Sequence, residues 1–289
     1  MHTQSYFFKE GEAIDHKYTV SSFITSNNYA QTYRVRTTSF ETKVLKLFLV
    51  NAADELAVLE RLDYPNVVKL NGVGEVELNN KTYGYAILDF VDGDSLFERI
   101  QRNEHFSRIG SRSVFLSILR GLIYLRRLHP VVYHNRLMPK NVILNLGTNA
   151  TTPVLANFSF SSGKAIEYTP DELYFVEPEA FKGEVQPNSD LYAAGAIYYY
   201  LLHSFPPFAK ELNNDAAAQE IPFVDALTQK KREHVVFHDD LYESTQYIIT
   251  KALHPDPAQR YQCPAEIRKD LYKDPHDPSF RDLLQAIRV

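Results

Sequence analysis

Between Tyr133 and Ser159 the chain reads YHNRLMPKNVILNLGTNATTPVLANFS. A polar loop bearing His134, Asn135, Arg136 and Asn141 leads into a short hairpin, which returns to the turn Asn157-Phe158-Ser159. The two sides of this stretch are patterned differently. Upstream, KYTVSSFI and TYRVRTT alternate and TKVLKLFLV is apolar around one lysine, so residues 17–50 read as three strands. VVKLNGVGEVEL and KTYGYAILDFV add two more, with Asn79-Asn80 as the turn between them. One helix, DELAVLERL, with Leu56, Leu59 and Leu62 on its apolar face, interrupts the strands. From Ser111 to about Leu128 the spacing of Phe115, Ile118, Leu119, Leu122 and Leu125 predicts a long helix. Downstream, NSDLYAAGAIYYYLLH, ESTQYIITKAL and PAEIRKDLYK read as helices, and the polar stretch from Ala209 to Val235 holds another.

Composition narrows the classes. Hydrophobic content of 44% and charged content of 23% over 289 residues suit a globular protein with a sizeable core. A formal net charge of −5, without any Lys/Arg block, argues against nucleic acid as a partner. One cysteine, Cys263, excludes an intrachain disulfide and a cysteine metal cluster, and fits a reducing compartment. No apolar run approaches the roughly 18 residues of a membrane span, and the first residues lack a secretory apolar core. The expected location is therefore cytoplasmic. Glycine is scarce, with 11 residues, which bears on any loop that must lie close over phosphates.

The loop and turn resemble the catalytic loop and metal-binding turn of protein kinases, H-R-D-L-x-x-x-N followed by D-F-G. The matching residues here are His134-Asn135-Arg136-Leu137, then Asn141, then Asn157-Phe158-Ser159. YPNVVKL, YFVEPEAF, SDLYAAG and the arginine of HPDPAQRY extend the resemblance over about residues 15–273. It implies an α+β, bilobal protein kinase-like fold as one domain over 1–289. A small antiparallel-sheet lobe with one helix would occupy about 15–90 and a larger, mainly helical lobe about 92–273, meeting near Val91. A tail, with a short helix at most, would follow from about 274 to 289.

The resemblance assigns roles to single positions. Lys46 of VLKLF would pair with Glu55 and with nucleotide phosphates; Glu60 competes, but the interval to Tyr64-Pro65-Asn66 favours Glu55. Leu88 is the gatekeeper-like residue, and Asp89, Phe90 and Val91 offer hinge backbone to an adenine. Asn141 matches the metal-binding asparagine. His134 and Asp190 would brace the loop backbone, and Glu179 and Arg260 would form a buried structural pair. Asn188 or Ser189 would cap the helix that carries Asp190.

Other positions depart from the family pattern. Arg136 stands where the proton-accepting aspartate would be, Asn157 replaces the magnesium-holding carboxylate, and Met138 replaces the lysine that steadies the transferred phosphate. Thr25, Asn27 and Ala30 occupy the lid-glycine positions, and Asn27, Tyr29 and Gln31 are expected to crowd a triphosphate. Asn135 replaces the arginine that reads a phosphorylated activation loop, so that switch is expected to be absent. These departures imply a pseudokinase that is not an enzyme. It would act by binding a protein, as scaffold or allosteric regulator, with ATP held weakly if at all and no magnesium. Two other readings stay open: a metal-independent nucleotide sensor, and an unconventional nucleotide-dependent transferase.

Overall fold

Alternating and β-branched residues in the first third of the chain build a twisted antiparallel sheet, and longer apolar periodicities after it build helices. The computed structural model describes residues 6–145, 152–158, 168–184, 186–215 and 221–273. It divides into two units, Met1–Asp92 and Gly93–Val289.

The first unit is a sheet with one helix. Strands β1 (Ala13–Ile14), β2 (Tyr18–Ser26), β3 (Ala30–Thr37) and β4 (Thr42–Phe48) precede helix α1 (Ala53–Leu59); β5 (Leu70–Leu78) and β6 (Lys81–Asp89) follow it. The sheet order is β1-β2-β3-β4-β6-β5, antiparallel throughout. Strand β1 has no forerunner in the alternation pattern, because two residues are too few to show a period. With Phe8 it closes one face of the sheet over Val20, Tyr33, Leu45, Leu47, Tyr85 and Ile87. Phe8 meets Tyr33 edge-on at 5.4 Å, as aromatic quadrupoles prefer. Helix α1 stops at Leu59, short of the expected Leu62: the chain tightens there, and Leu62 N–H donates to the Leu59 carbonyl at 3.1 Å. Leu59 and Leu62 are both buried all the same.

The second unit opens with β7 (Gly93–Ser95), α2 (Leu96–Gln101) and α3 (Arg108–Arg127). Helix α3 begins three residues earlier than its apolar spacing suggests, because the Ser107 hydroxyl accepts from Gly110 N–H at 3.1 Å and caps it. Strands β8 (Val142–Asn145) and β9 (Thr152–Leu155) pair antiparallel, and β8 also pairs with β7. Helices α4 (Pro170–Leu173), α5 (Ser189–His203), α6 (Ala209–Asn214), α7 (Phe223–Lys230), α8 (Glu243–Ala252) and α9 (Pro264–Leu271) follow. The polar stretch expected to hold one helix holds two, α6 and α7.

Helix α5 is apolar all round and is buried along nearly its whole length, packed by α3 and α8. Phe115 of α3 stacks on Tyr198 at 4.1 Å, and Gly195 lets the backbone of α8 approach at Ala252. Among the described residues no helix is long and apolar enough to cross a membrane. Ser159 and the tail beyond residue 273 lie outside the described residues.

Candidate functional site

Lys46 lies in the middle of β4, on the sheet face opposite the core of Tyr33, Leu45 and Leu47. A charge there needs a partner. Glu55, facing it from the two-turn helix α1, supplies one: Lys46 Nζ donates to Glu55 Oε1 at 2.5 Å, with both side chains largely buried. The turn at the lid-glycine positions is closed on itself. Asn27 Oδ1 accepts from the backbone N–H of Tyr29 at 2.8 Å and of Ala30 at 2.9 Å, the local Asx pattern. Those are the amides a phosphate-cradling lid would offer.

Gln31 corrects an expectation. Its side chain lies on the opposite sheet face from Lys46, where Oε1 accepts from Phe7 N–H at 3.2 Å and from the Tyr33 hydroxyl. The period of two in a strand sends it to the core side, so it crowds nothing near Lys46. At the hinge positions, Leu88 is buried and Val91 half-buried. The Asp89 carboxylate accepts from Lys43 Nζ at 3.1 Å and Asn71 Nδ2 at 2.7 Å.

In the second unit the loop before β8 is organised by Asp190. Its two carboxylate oxygens accept from the backbone N–H of His134 at 2.8 Å and Asn135 at 2.9 Å. Asp190 is placed by the first turn of α5. Asn188 does sit at the N-cap position, but its side chain does not cap: it donates to the Pro257 carbonyl at 3.0 Å. Ser189 does not cap either; its hydroxyl accepts from Gln186 N–H at 2.8 Å and donates to Glu177. His134 is fully buried and stacks on Phe158 at 4.2 Å. Burial pushes its pKa down to about 3, against a weaker upward pull from the Ala156 backbone, so the ring is neutral.

The positions that depart from the kinase pattern are engaged with their neighbours. Asn157, held at φ 56°, donates from Nδ2 to Asn141 Oδ1 at 3.1 Å, and Asn141 Nδ2 donates to the Arg136 carbonyl at 2.7 Å. Asparagine tolerates that left-handed backbone better than most residues. The Arg136 guanidinium reaches Glu172 at 3.5 Å, and both side chains are mostly buried. Met138 is buried, and Lys140 Nζ lies 5.0 Å from the Phe97 ring. A cavity of about 20 Å³ bordered by Arg136, Met138, Tyr168, Val176 and Glu177 is the size of one water molecule. Farther on, Arg260 holds Glu179 through two parallel bonds of 3.0 and 3.2 Å.

Two residues of this constellation have no place in the sequence reading. Glu172 is the N3 residue of a capping box opened by Thr169, and Glu172 Oε2 accepts from Thr169 N–H at 3.1 Å. The T-x-x-E spacing was a legible signal for it. Lys231, from a polar run with no periodicity, had none.

The sheet unit, the helical unit and the site residues together define a kinase-type domain. Residues 24–272 match the model of the protein kinase domain, and the chain belongs to that family. A probable serine/threonine-protein kinase of Streptomyces coelicolor is 28% identical over 218 residues, covering 73% of this chain and 31% of that protein. Calcium-dependent protein kinase 5 of Plasmodium berghei is 29% identical over 169 residues, 56% of this chain and 28% of that protein. The human calcium/calmodulin-dependent protein kinase type 1B is 26% identical over 238 residues, 81% of this chain and 66% of its own length. The chain thus spans less than two thirds of each of these relatives.

These matches correct the expectation that the chain is not an enzyme. The family is that of the protein kinases, and the relatives carry the names of serine/threonine and calcium-dependent kinases. The physical reason is plain: Arg136 and Asn157 show which groups are missing from one mechanism. They do not remove the chain from a family of enzymes.

Proposed function

We propose that this kinase-family domain acts through a protein partner, as a scaffold or allosteric regulator, with its kinase-like site serving regulation. The observation that carries this reading is the hydrogen bond from the Asn157 side-chain amide to that of Asn141, which itself donates to the Arg136 carbonyl. A magnesium ion asks for oxygen ligands, with carboxylates among them and several waters. Here the two amides are neutral, and one lone pair of Asn141 Oδ1 is already taken by Asn157. This donor set does not fit magnesium, and no step through the metal is derived from it. The closed Asn27 turn adds to the same reading, since its amides are already bonded.

A second reading has its own support. The Lys46–Glu55 pair is formed and largely buried, the arrangement kinases use to hold nucleotide phosphates, and the named relatives are kinases. Under this reading the chain is a nucleotide-dependent transferase in which Lys46 binds phosphate. The full proteins' substrates and partners do not transfer from the relatives.

One experiment separates the two. Thermal unfolding of the whole chain is followed with ATP, with and without magnesium, alongside transfer of labelled phosphate to a generic acceptor protein. The regulator reading predicts a small shift or none, unaffected by magnesium. A shift with measurable transfer would replace it with the transferase reading. Magnesium dependence would overturn the assignment of the Asn141–Asn157 pair.

A further inference from the structure

Lys231, the C-cap residue just after α7, is fully buried. Its ammonium donates to the backbone carbonyls of Leu173 at 2.8 Å, Tyr174 at 3.1 Å and Val176. It also lies 5.3 Å from the Phe181 ring centroid and 5.1 Å from that of Tyr192. Three carbonyls match the three N–H donors of an ammonium, and the ring faces supply negative potential around them. Burial alone would favour the neutral amine and draws the pKa well below that of an ordinary lysine, with Glu177 pulling it back up.

The three carbonyls belong to the end of α4 and the turn that follows it, within the stretch from Asn157 to Glu179 that corresponds to a kinase activation segment. The same turn is tied at Glu172 to Arg136, and at Glu177 to Ser189. Every one of these ties is made by the chain's own side chains. Asn135, at the place of the phosphate-reading arginine, uses its backbone N–H on Asp190. A lysine inside helical structure has no reason to be buried for its own sake. Its burial against three carbonyls of one turn has a reason: it fixes that turn.

We propose that Lys231 is an internal latch that holds the Leu173–Glu177 turn docked without phosphorylation. The order of this segment then depends on the ammonium at position 231 and not on a modified residue in the segment. The latch goes beyond the proposed function, because it holds whether the docked turn serves a protein partner or an acceptor substrate.

The test is amide hydrogen exchange, read by mass spectrometry on the whole chain. The wild type, the wild type treated with phosphatase, and Lys231→Met are compared. Removing the ammonium should speed exchange over Leu173–Glu177 by about tenfold or more through local opening. Exchange in β3 and β4 should not change, and phosphatase should leave the turn as it was. Lys231→Met exchanging at the wild-type rate, or phosphatase loosening the turn, would overturn the latch. A second measurement needs no variant. In native wild-type protein Lys231 should resist acylation under conditions that label Lys17, whose side chain is 66% exposed. Labelling of both at equal rates would equally sink the idea. Neither readout involves partner binding or transfer, so it stands or falls apart from the proposed function.

Discussion

At the scale of single residues, charges near the site are held by specific partners, and removing one partner should cost more than removing both. Lys46→Ala leaves Glu55 mostly buried with no counter-charge. We expect a loss of about 3 kcal/mol, the usual cost of breaking a largely buried pair. Denaturant unfolding of Lys46→Ala, Glu55→Ala and the double variant measures it. A double variant as stable as the wild type to within about 1 kcal/mol is compatible with this, since both charges are then gone. Wild-type stability in Lys46→Ala itself would contradict the pair. Arg136→Asp is the sharper case. It restores the carboxylate of the kinase pattern, but sets it beside Glu172, which loses its cation and gains a like charge. Arg136→Asp should therefore unfold at a lower temperature than Arg136→Leu, which removes the attraction without adding repulsion. The reverse order would mean that Glu172 does not sense position 136.

At the scale of elements, the tightest meeting is that of α5 and α8. A Cβ built at Gly195 would stand 2.4 Å from the Ala252 Cβ. Alanine in a helix interior is favoured over glycine by roughly 1 kcal/mol, but both Cβ atoms are fixed to backbone, so neither can swing aside. The clash should win, and Gly195→Ala should lose about 1–3 kcal/mol, as overpacked cores do. Ala252→Gly in the same chain should recover most of that. If Gly195→Ala proves more stable alone, the helices do not approach so closely. This contact also marks what a sequence reveals. The strands β2 to β6 and helices α3, α8 and α9 were legible because each runs long enough to show its pattern, and α5, apolar all round, was legible from the SDLYAAG motif. Glycine in SDLYAAGAIYYYLLH signals only that a neighbour comes close, without naming Ala252. Strand β1, the split of the polar stretch into α6 and α7, and the side chain of Asn188 were not legible. Each is decided by tertiary partners, Pro257 in the last case. Within the site, the positions of His134, Arg136, Asn141 and Asn157 followed from motif spacing. The Asn141–Asn157 bond and the Arg136–Glu172 contact did not, since sequence gives positions and not the direction of side chains.

At the scale of the whole molecule, the buried histidines tie stability to pH. His134 titrates at about 3 in the folded chain and near 6.5 unfolded, so between those values the unfolded state binds the extra proton and acid favours unfolding. Above about 6.5 the ring is neutral in both states and contributes no slope. His203 leans the same way: burial lowers its pKa, more than the Asp239 carboxylate at 2.5 Å raises it, with His238 and Lys210 adding to the fall. Asp190 and Glu177 oppose this, because burial raises both carboxyls and makes their protonation easier when folded. The sum over all groups is thus mixed, but one histidine can be isolated by difference. His134→Phe keeps a ring against Phe158 and cannot titrate. The stability gap between wild type and His134→Phe should be constant above about pH 7 and should shift against the wild type by about 1.4 kcal/mol per pH unit below 6.5. The chain has 19 tyrosines and no tryptophan, so urea unfolding followed by far-ultraviolet circular dichroism at pH 7.5, 6.0 and 5.0 is the measurement. A gap that stays flat down to pH 5.0 would mean that His134 takes up its proton in the folded chain, and that the stacked, buried ring is open to water.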